Sequence, residues 1–272
     1  MSDPYIPTFS KPLDQFPMMS KRIGLQGAPH SGKTWAAMTF PSPIIVFDFD
    51  NKMDAHKHRN DIHILPFYDH EWCLAKGKEL KLDNMLSRDM VKRWDLFRKL
   101  MALEIPKFQP GQTVVIDSWT MLQNNYDLWF VAHPTVSTES GKVDNRVFYK
   151  NKGDFSLLIL EMFKGCKANL IWTFHESKEE DADGKPTGRY NPLMSGRVKE
   201  VLGQHFGDWY RQTAESEIGP DNKPTGKTLY QWQIKPNTTC KCSCSVKHLI
   251  ESEKMYVPAN YSSLLPPKQK DG

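Results

Sequence analysis

Residues Gly27-Ala28-Pro29-His30-Ser31-Gly32-Lys33-Thr34 spell GxxxxGKT directly after the apolar segment Ile23-Gly24-Leu25-Gln26. A glycine-rich loop between a strand and a helix lets successive backbone N–H groups turn toward a phosphate; the lysine adds a point charge, and the hydroxyl after it can enter a Mg²⁺ shell. The pattern therefore points to a bound nucleoside triphosphate, ATP with Mg²⁺. Gly27, Ala28, Pro29, His30, Ser31, Gly32, Lys33, Thr34 and the flanking Trp35 are the expected cofactor-binding residues, with Lys33 at the β/γ-phosphates and Thr34 at the metal. Phosphoryl chemistry also needs a carboxylate at the Mg²⁺ shell and another group that orients the attacking water. Asp117, closing the run Thr113-Val114-Val115-Ile116, suits the first role, and Asp48 and Asp50 compete for the second. Two residues apart on a strand, they share a face, so pattern alone does not separate them, and two close carboxylates push one pKa up. Gly226-Lys227-Thr228 imitates the end of a phosphate loop, but Asp221 stands where its first glycine is required, so it is rejected.

Strands and helices must position these groups. Strand one (22–26) feeds the phosphate loop and a short helix over 33–40 that Pro41-Ser42-Pro43 stops. Ile44-Ile45-Val46-Phe47 and Thr113–Ile116 are continuous apolar runs of the kind buried on both faces of a parallel sheet. A weaker strand spans 61–66. Helical spacing of Met90, Trp94, Phe97, Leu100, Met101 and Ile105 predicts a helix over 87–105. Further helices are expected over 119–132 and 155–164, with a polar loop over 133–154 between them. The next strand (169–174) ends at His175, and 176–196 reads as a second long loop. A short helix (197–206) precedes a strand over 208–214. Asp183–Gly188 and Asp221–Gly226 nearly repeat and both suit hairpin tips. The order predicts an α/β fold: a mostly parallel sheet flanked by helices, with a C-terminal antiparallel hairpin. Asp50, Asp117 and His175 then fall at the carboxyl ends of strands, where such sheets bind ligands.

The 272 residues suit one domain with appendages: an extended, proline-rich arm over 1–20, the domain over 21–250 and a tail over 251–272. With 36 basic against 32 acidic residues the net charge is +4, so any nucleic-acid surface must be local. No run approaches a membrane span and the N-terminus lacks a signal-peptide pattern, so a cytoplasmic location with no membrane partner is expected. Five cysteines, three of them bunched, do not form a secreted disulfide framework and are expected as reduced thiols. Cys240, Cys242 and Cys244 alternate, so on a strand all three would face one way. Metal sites more often use CxxC pairs, so small apolar residues packed on a sheet are the favoured alternative to metal.

Taken together, GAPHSGKT, the helix cut by Pro-Ser-Pro, the strands VFDFD and VVIDS with Ser118 after the aspartate, and LIWTFHE resemble the RecA-like P-loop ATPase core. Within it they resemble the small phage ATP-binding proteins of single-strand annealing and recombination type, over residues 22–211. The resemblance implies that Asp50 stands where the family keeps a catalytic Glu or Asp. It also implies that His175, which alone would read as a structural histidine, senses the γ-phosphate for a DNA-binding loop. The catalytic set is then Lys33, Asp50, Asp117 and His175, with Thr34 and Asp117 on Mg²⁺.

The family lines single-stranded DNA with two loops, and the matching segments are 133–154, with Lys142, Arg146, Tyr149, Lys150 and Lys152, and 176–197, with Lys185 and Arg189. Basic residues track phosphates and an aromatic can stack on a base. Five carboxylates in the second segment weigh against it. The resemblance also implies further copies of the chain, in a ring or a filament, with a neighbour's lysine (Lys235 or Lys241) reaching the nucleotide, and a single-strand DNA-binding protein as partner. The implied function is ATP hydrolysis stimulated by single-stranded DNA, in recombination, annealing or repair in a phage-infected host cytoplasm. Two alternatives stay open: a nucleotide-switched scaffold or helicase loader with little turnover, and a small-molecule P-loop kinase, for which no arginine-rich lid is evident.

Overall fold

Segments that are apolar on both faces must be covered on both faces. The structure, a computed structural model, describes residues 20–82, 93–131, 145–194 and 202–266. In it Ile44–Asp48 (β2) and Thr113–Asp117 (β4) lie side by side in the middle of a sheet, with Asp48 opposite Asp117 in register. The other parallel strands are Arg22–Gly27 (β1), Ile62–Pro66 (β3) and Asn169–Glu180 (β5), with Asp208–Ile218 (β7) parallel to β1. Pro224–Gln233 (β8) and Tyr256–Pro258 (β9) extend the sheet antiparallel. Among the described residues the order is β3-β2-β4-β5-β1-β7-β8-β9, and Pro186–Pro192 (β6) pairs with the outer half of β5. One strand, β5, therefore separates the strand bearing the phosphate loop from the strand bearing Asp117.

Side chains alternate across the sheet and define two cores. On one face Phe47, Val114, Ile116, Leu170 and Trp172 pack beneath His70–Glu79 (α2), Arg93–Glu104 (α3), Trp119–Val131 (α4) and Asn145–Phe163 (α5). Aromatic rings dominate that layer, with Trp119 stacked on Trp172 at 4.8 Å and Tyr126 on Phe155 at 4.2 Å. On the other face Ile23, Leu25, Val46, Val115 and Ile171 pack against Lys33–Ala37 (α1) and the C-terminal residues Val246, Leu249, Val257 and Leu264.

The expected fold class holds, and several boundaries change. Helix α1 ends at Ala37 and loosens into turns through Phe40. Helix α5 begins at Asn145, so residues 145–154 are helical instead of part of a loop; 133–144 lie outside the described residues. The expected loop over 176–196 is instead, through Pro192, a β-hairpin built from the outer half of β5 with β6. Both hexapeptides do form hairpin tips, with Gly184 and Asn222 at φ 76° and 59°. Residues 256–264, expected in a tail, pair with β8 and pack on the α1 face.

Gly24 is the position where backbone approach is tightest: a Cβ there would lie 2.2 Å from the Trp209 indole. Gly24→Ala should therefore destabilise the fold by about 1–3 kcal/mol through overpacking. A fall in the urea midpoint at unchanged slope is the expected result, and a variant carrying Trp209→Leu as well should recover part of it.

Candidate functional site

A loop that wraps an anion must hold its own backbone in shapes most residues avoid. Here His30 and Gly32 have φ of 62° and 84° between the end of β1 and the start of α1. A side chain on Gly32 would meet the Tyr230 ring at 2.7 Å, and one on Gly27 would meet the Gln212 carbonyl at 2.6 Å. Gly27 is thus required by space, and Gly32 by space and torsion together. Lys33 is buried and donates to the carbonyls of Gly27 at 2.8 Å and Ala28 at 2.7 Å, with Ser31 Oγ at 3.4 Å. Burial pulls its pKa down to about 8, with the Asp117 charge opposing that shift and Lys52 adding to it. Ala28, Pro29, His30 and Trp35 face solvent, Trp35 at 61% exposure.

Asp117 is the junction of the site. Thr34 Oγ1 donates to its Oδ2 at 2.6 Å and Thr173 Oγ1 donates to its Oδ1 at 2.5 Å, so the carboxylate ties α1 to β4 and β5. A threonine hydroxyl beside an ionisable carboxyl is an all-oxygen donor pair suited to a hard cation. Thr34 and Asp117 therefore fit Mg²⁺, and the Gly27–Thr34 loop with Lys33 fits a triphosphate.

The structure also distinguishes the two aspartates that pattern left equivalent. Strand β2 ends at Asp48, and the chain then bends. Asp48 Oδ1 accepts the backbone N–H of Asp50 at 3.0 Å and of Asn51 at 2.9 Å, fully buried. Burial, with the neighbouring Asp117 charge, lifts its carboxyl to about 6. Asp50 turns away toward three side chains: Lys52 Nζ at 2.7 Å, Ser118 Oγ at 3.0 Å and His175 Nε2 at 3.3 Å. Burial would raise the Asp50 carboxyl, but the hydrogen bonds from His175 and Lys52 and the Lys52 charge outweigh it and hold it at about 2. Lys33, Thr34, Asp117, Asp50 and His175 are thus gathered at the carboxyl edge of β1, β2, β4 and β5.

The expected nucleic-acid residues do not gather in the same way. Lys142 lies outside the described residues; Arg146, Tyr149, Lys150 and Lys152 are on helix α5, with Lys150 exposed. Lys185 and Arg189 are exposed on the β5–β6 hairpin, Arg189 3.8 Å from Glu179. Of the two lysines considered for a neighbouring site, Lys235 donates to the Ser252 carbonyl and Lys241 is exposed. Thr173, Gln212, Tyr230 and Lys52 touch the site and were missed from sequence. For Thr173 a signal existed, since alternation puts it on the same face as Ile171 and His175.

A phosphate loop at the end of a central strand, its threonine against a buried carboxylate on a strand two places away, defines a P-loop nucleotide-binding domain of the α/β class. Comparison with known families agrees: residues 19–234 match the AAA domain family, and the chain belongs to it. No curated protein matches the chain. The AAA domain points to nucleotide binding and ATPase activity. Among the described residues no helix is long and apolar enough to cross a membrane.

The low pKa of Lys33 has a measurable sign. A bound triphosphate supplies counter-charge and raises that pKa, so above about pH 8 binding must take up a proton. Near about pH 9 each ATP bound should carry about one proton with it, and affinity should fall as pH rises further. Titration calorimetry in two buffers of different ionisation enthalpy measures this directly; buffer-independent heats at that pH would contradict the burial of Lys33.

Proposed function

We propose that this protein is an ATPase that acts on single-stranded DNA in recombination, annealing or repair, resembling RecA-like phage proteins. The observation that carries the proposal is the path of strand β5. His175 on β5 approaches Asp50 beside the nucleotide loop. Beyond it the same strand rises into a hairpin that presents Lys178, Lys185, Arg189 and Tyr190. A change at the γ-phosphate, sensed by His175, would pass along one continuous strand to a hairpin that carries these cations and a ring among five carboxylates. The cations and the ring are the groups that would meet a phosphate backbone and stacked bases, with the DNA strand running on the side away from the carboxylates.

In this reading Lys33 holds the β/γ-phosphates, Thr34 and Asp117 hold Mg²⁺, and Asp50 fixes the attacking water. A carboxylate held at about 2 is a weak base, so Asp50 orients the water by accepting its hydrogen bond, and the proton leaves with the phosphate product. The same weak basicity favours a second reading, a nucleotide-switched scaffold or helicase loader that binds ATP and turns it over slowly. Further copies of the chain, in a ring or filament, and a single-strand DNA-binding protein belong to the proposal as partners.

The test is ATP hydrolysis without DNA, with single-stranded DNA and with double-stranded DNA. Single strands should stimulate the rate, Lys33→Ala should lower it on the order of 100-fold, and Lys185→Glu with Arg189→Glu should remove the stimulation while leaving the DNA-free rate. A rate indifferent to DNA sinks the nucleic-acid reading, and tight ATP binding without turnover selects the scaffold. Asp50→Asn should cut turnover by about 100-fold at nearly unchanged nucleotide affinity. Because Asp50 stays ionised, its contribution should be flat with pH from about 5 to 7; a rate that climbs through that range only when Asp50 is present would show that it acts as a base.

A further inference from the structure

On the sheet face opposite α1, a cavity of about 610 Å³ opens between the β5–β6 hairpin and the segment after β8, lined by Gln26, Arg189, Tyr190, Cys240, Lys241 and Cys242, among others. Cys240 and Cys242 are 4% and 7% exposed, and their sulfurs lie 3.5 Å apart, with the Cys242 thiol donating to Cys240 Sγ. On a regular strand the alternation of Cys240, Cys242 and Cys244 would turn all three thiols one way. Instead the segment lies outside the named strands, bridged to β7 only through Ser243 and Trp209 among the described residues, and Cys244 turns away to the Tyr210 hydroxyl at 3.6 Å.

The pair is held in place from both sides. Asn237 Oδ1 accepts the backbone N–H groups of Thr239 and Cys240, each at 2.9 Å, which fixes the entry to the segment. Ser243 exchanges backbone hydrogen bonds with Trp209, both 2.9 Å, which fixes its exit. The sulfurs already touch at 3.5 Å, and closing that contact to the ~2.05 Å of a bond takes side-chain rotation together with a local adjustment of the backbone around Lys241.

The two thiols are also chemically unequal. The hydrogen bond from Cys242 draws the Cys240 thiol below its ordinary value against the effect of burial, and the Arg211 guanidinium adds to the lowering. Cys242, as the donor, is pushed up. Burial raises Cys73, Cys166 and Cys244, and none of them has a second sulfur in contact among the described residues. One attacking sulfur and one protonated resolving sulfur beside an open cavity form the arrangement that thiol–disulfide exchange requires.

We propose that Cys240 and Cys242 are a redox-active dithiol that exchanges with low-molecular-weight disulfides and closes to an intramolecular disulfide. The Cys240 thiolate attacks one sulfur of the small disulfide; a Cys240–small-thiol mixed disulfide forms and one small thiolate leaves, taking a proton from solvent. Cys242 then loses its proton and attacks Cys240 Sγ, the mixed disulfide breaks, and the second small thiol leaves. The protein gives up two hydrogens and the small disulfide is reduced to two thiols.

The experiment treats the full chain with glutathione disulfide, quenches with acid and reads intact mass. The wild type should lose two hydrogens and retain no glutathione. Cys242→Ser should retain one glutathione on Cys240, Cys240→Ser should take up none at this segment, and Cys244→Ser should behave as wild type. Trypsin cleaves after Lys241, between the two sulfurs, so the oxidised wild type should give two peptides joined by a reducible bond. Wild type that keeps glutathione on Cys240, that pairs Cys240 or Cys242 with Cys244, or that does not react at all overturns the proposal. The wild-type measurement requires no variant to fold, and far-UV circular dichroism checks each variant used.

Discussion

The arrangement depends on one buried carboxylate. Asp117 is 2% exposed at the end of an otherwise apolar strand, a position a charge tolerates only with partners. Its two oxygens take hydroxyls from Thr34 and Thr173, which come from the helix after β1 and from β5. Because β5 stands between β4 and β1 in the sheet, this carboxylate reaches across a whole strand to fix the phosphate loop against the sheet. Removing either hydroxyl would leave a buried acceptor short of a donor, at a cost of about 1–3 kcal/mol, so the sheet order and the site geometry support each other.

The parts of this plan written in local pattern were legible in the sequence. GxxxxGKT after an apolar strand, the runs ending on Asp48 and Asp117, and the paired hexapeptide tips all depend on neighbours in the chain, and each is found where it was expected. What was misread depended on distant partners. The outer half of β5 is as charged as a loop, and it is a strand because β6 folds back on it. The start of α5 carries polar residues without an apolar stripe, so periodicity gave no helix there. Strand β9 has three residues and exists through its pairing with β8. Gln212 and Tyr230 are uninformative by type, and their place at the site follows from register alone.

The two aspartates of VFDFD show how far a single bend can divide like residues. Had the strand continued through position 50, both side chains would share one face. The strand stops at Asp48, whose carboxylate caps the bend itself, and Asp50 is thrown toward β5 and the start of α4. Their carboxyls then move in opposite directions, Asp48 up to about 6 and Asp50 down to about 2. The more basic group is fully enclosed and committed to backbone N–H donors, and the more open one is firmly ionised. The bend therefore leaves an ionised carboxylate among side chains at the carboxyl edge of the sheet and shuts the more basic one away.

Strand β5 also divides its two faces between two sets of contacts. His175 points to Asp50, and the next residue, Glu176, points to the opposite face, where Arg211 Nε and Nη2 donate to its carboxylate at 2.9 and 3.0 Å. The Arg211 guanidinium lies 3.8 Å over the Tyr190 ring of the hairpin. Two adjacent residues thus connect the nucleotide side of the sheet to the hairpin side without an intervening element. A strand clamped at consecutive positions on opposite faces cannot shift one contact without straining the other, because its side chains are fixed to a common backbone. Any displacement of His175 is therefore felt first, on the hairpin side, at the Glu176–Arg211–Tyr190 stack.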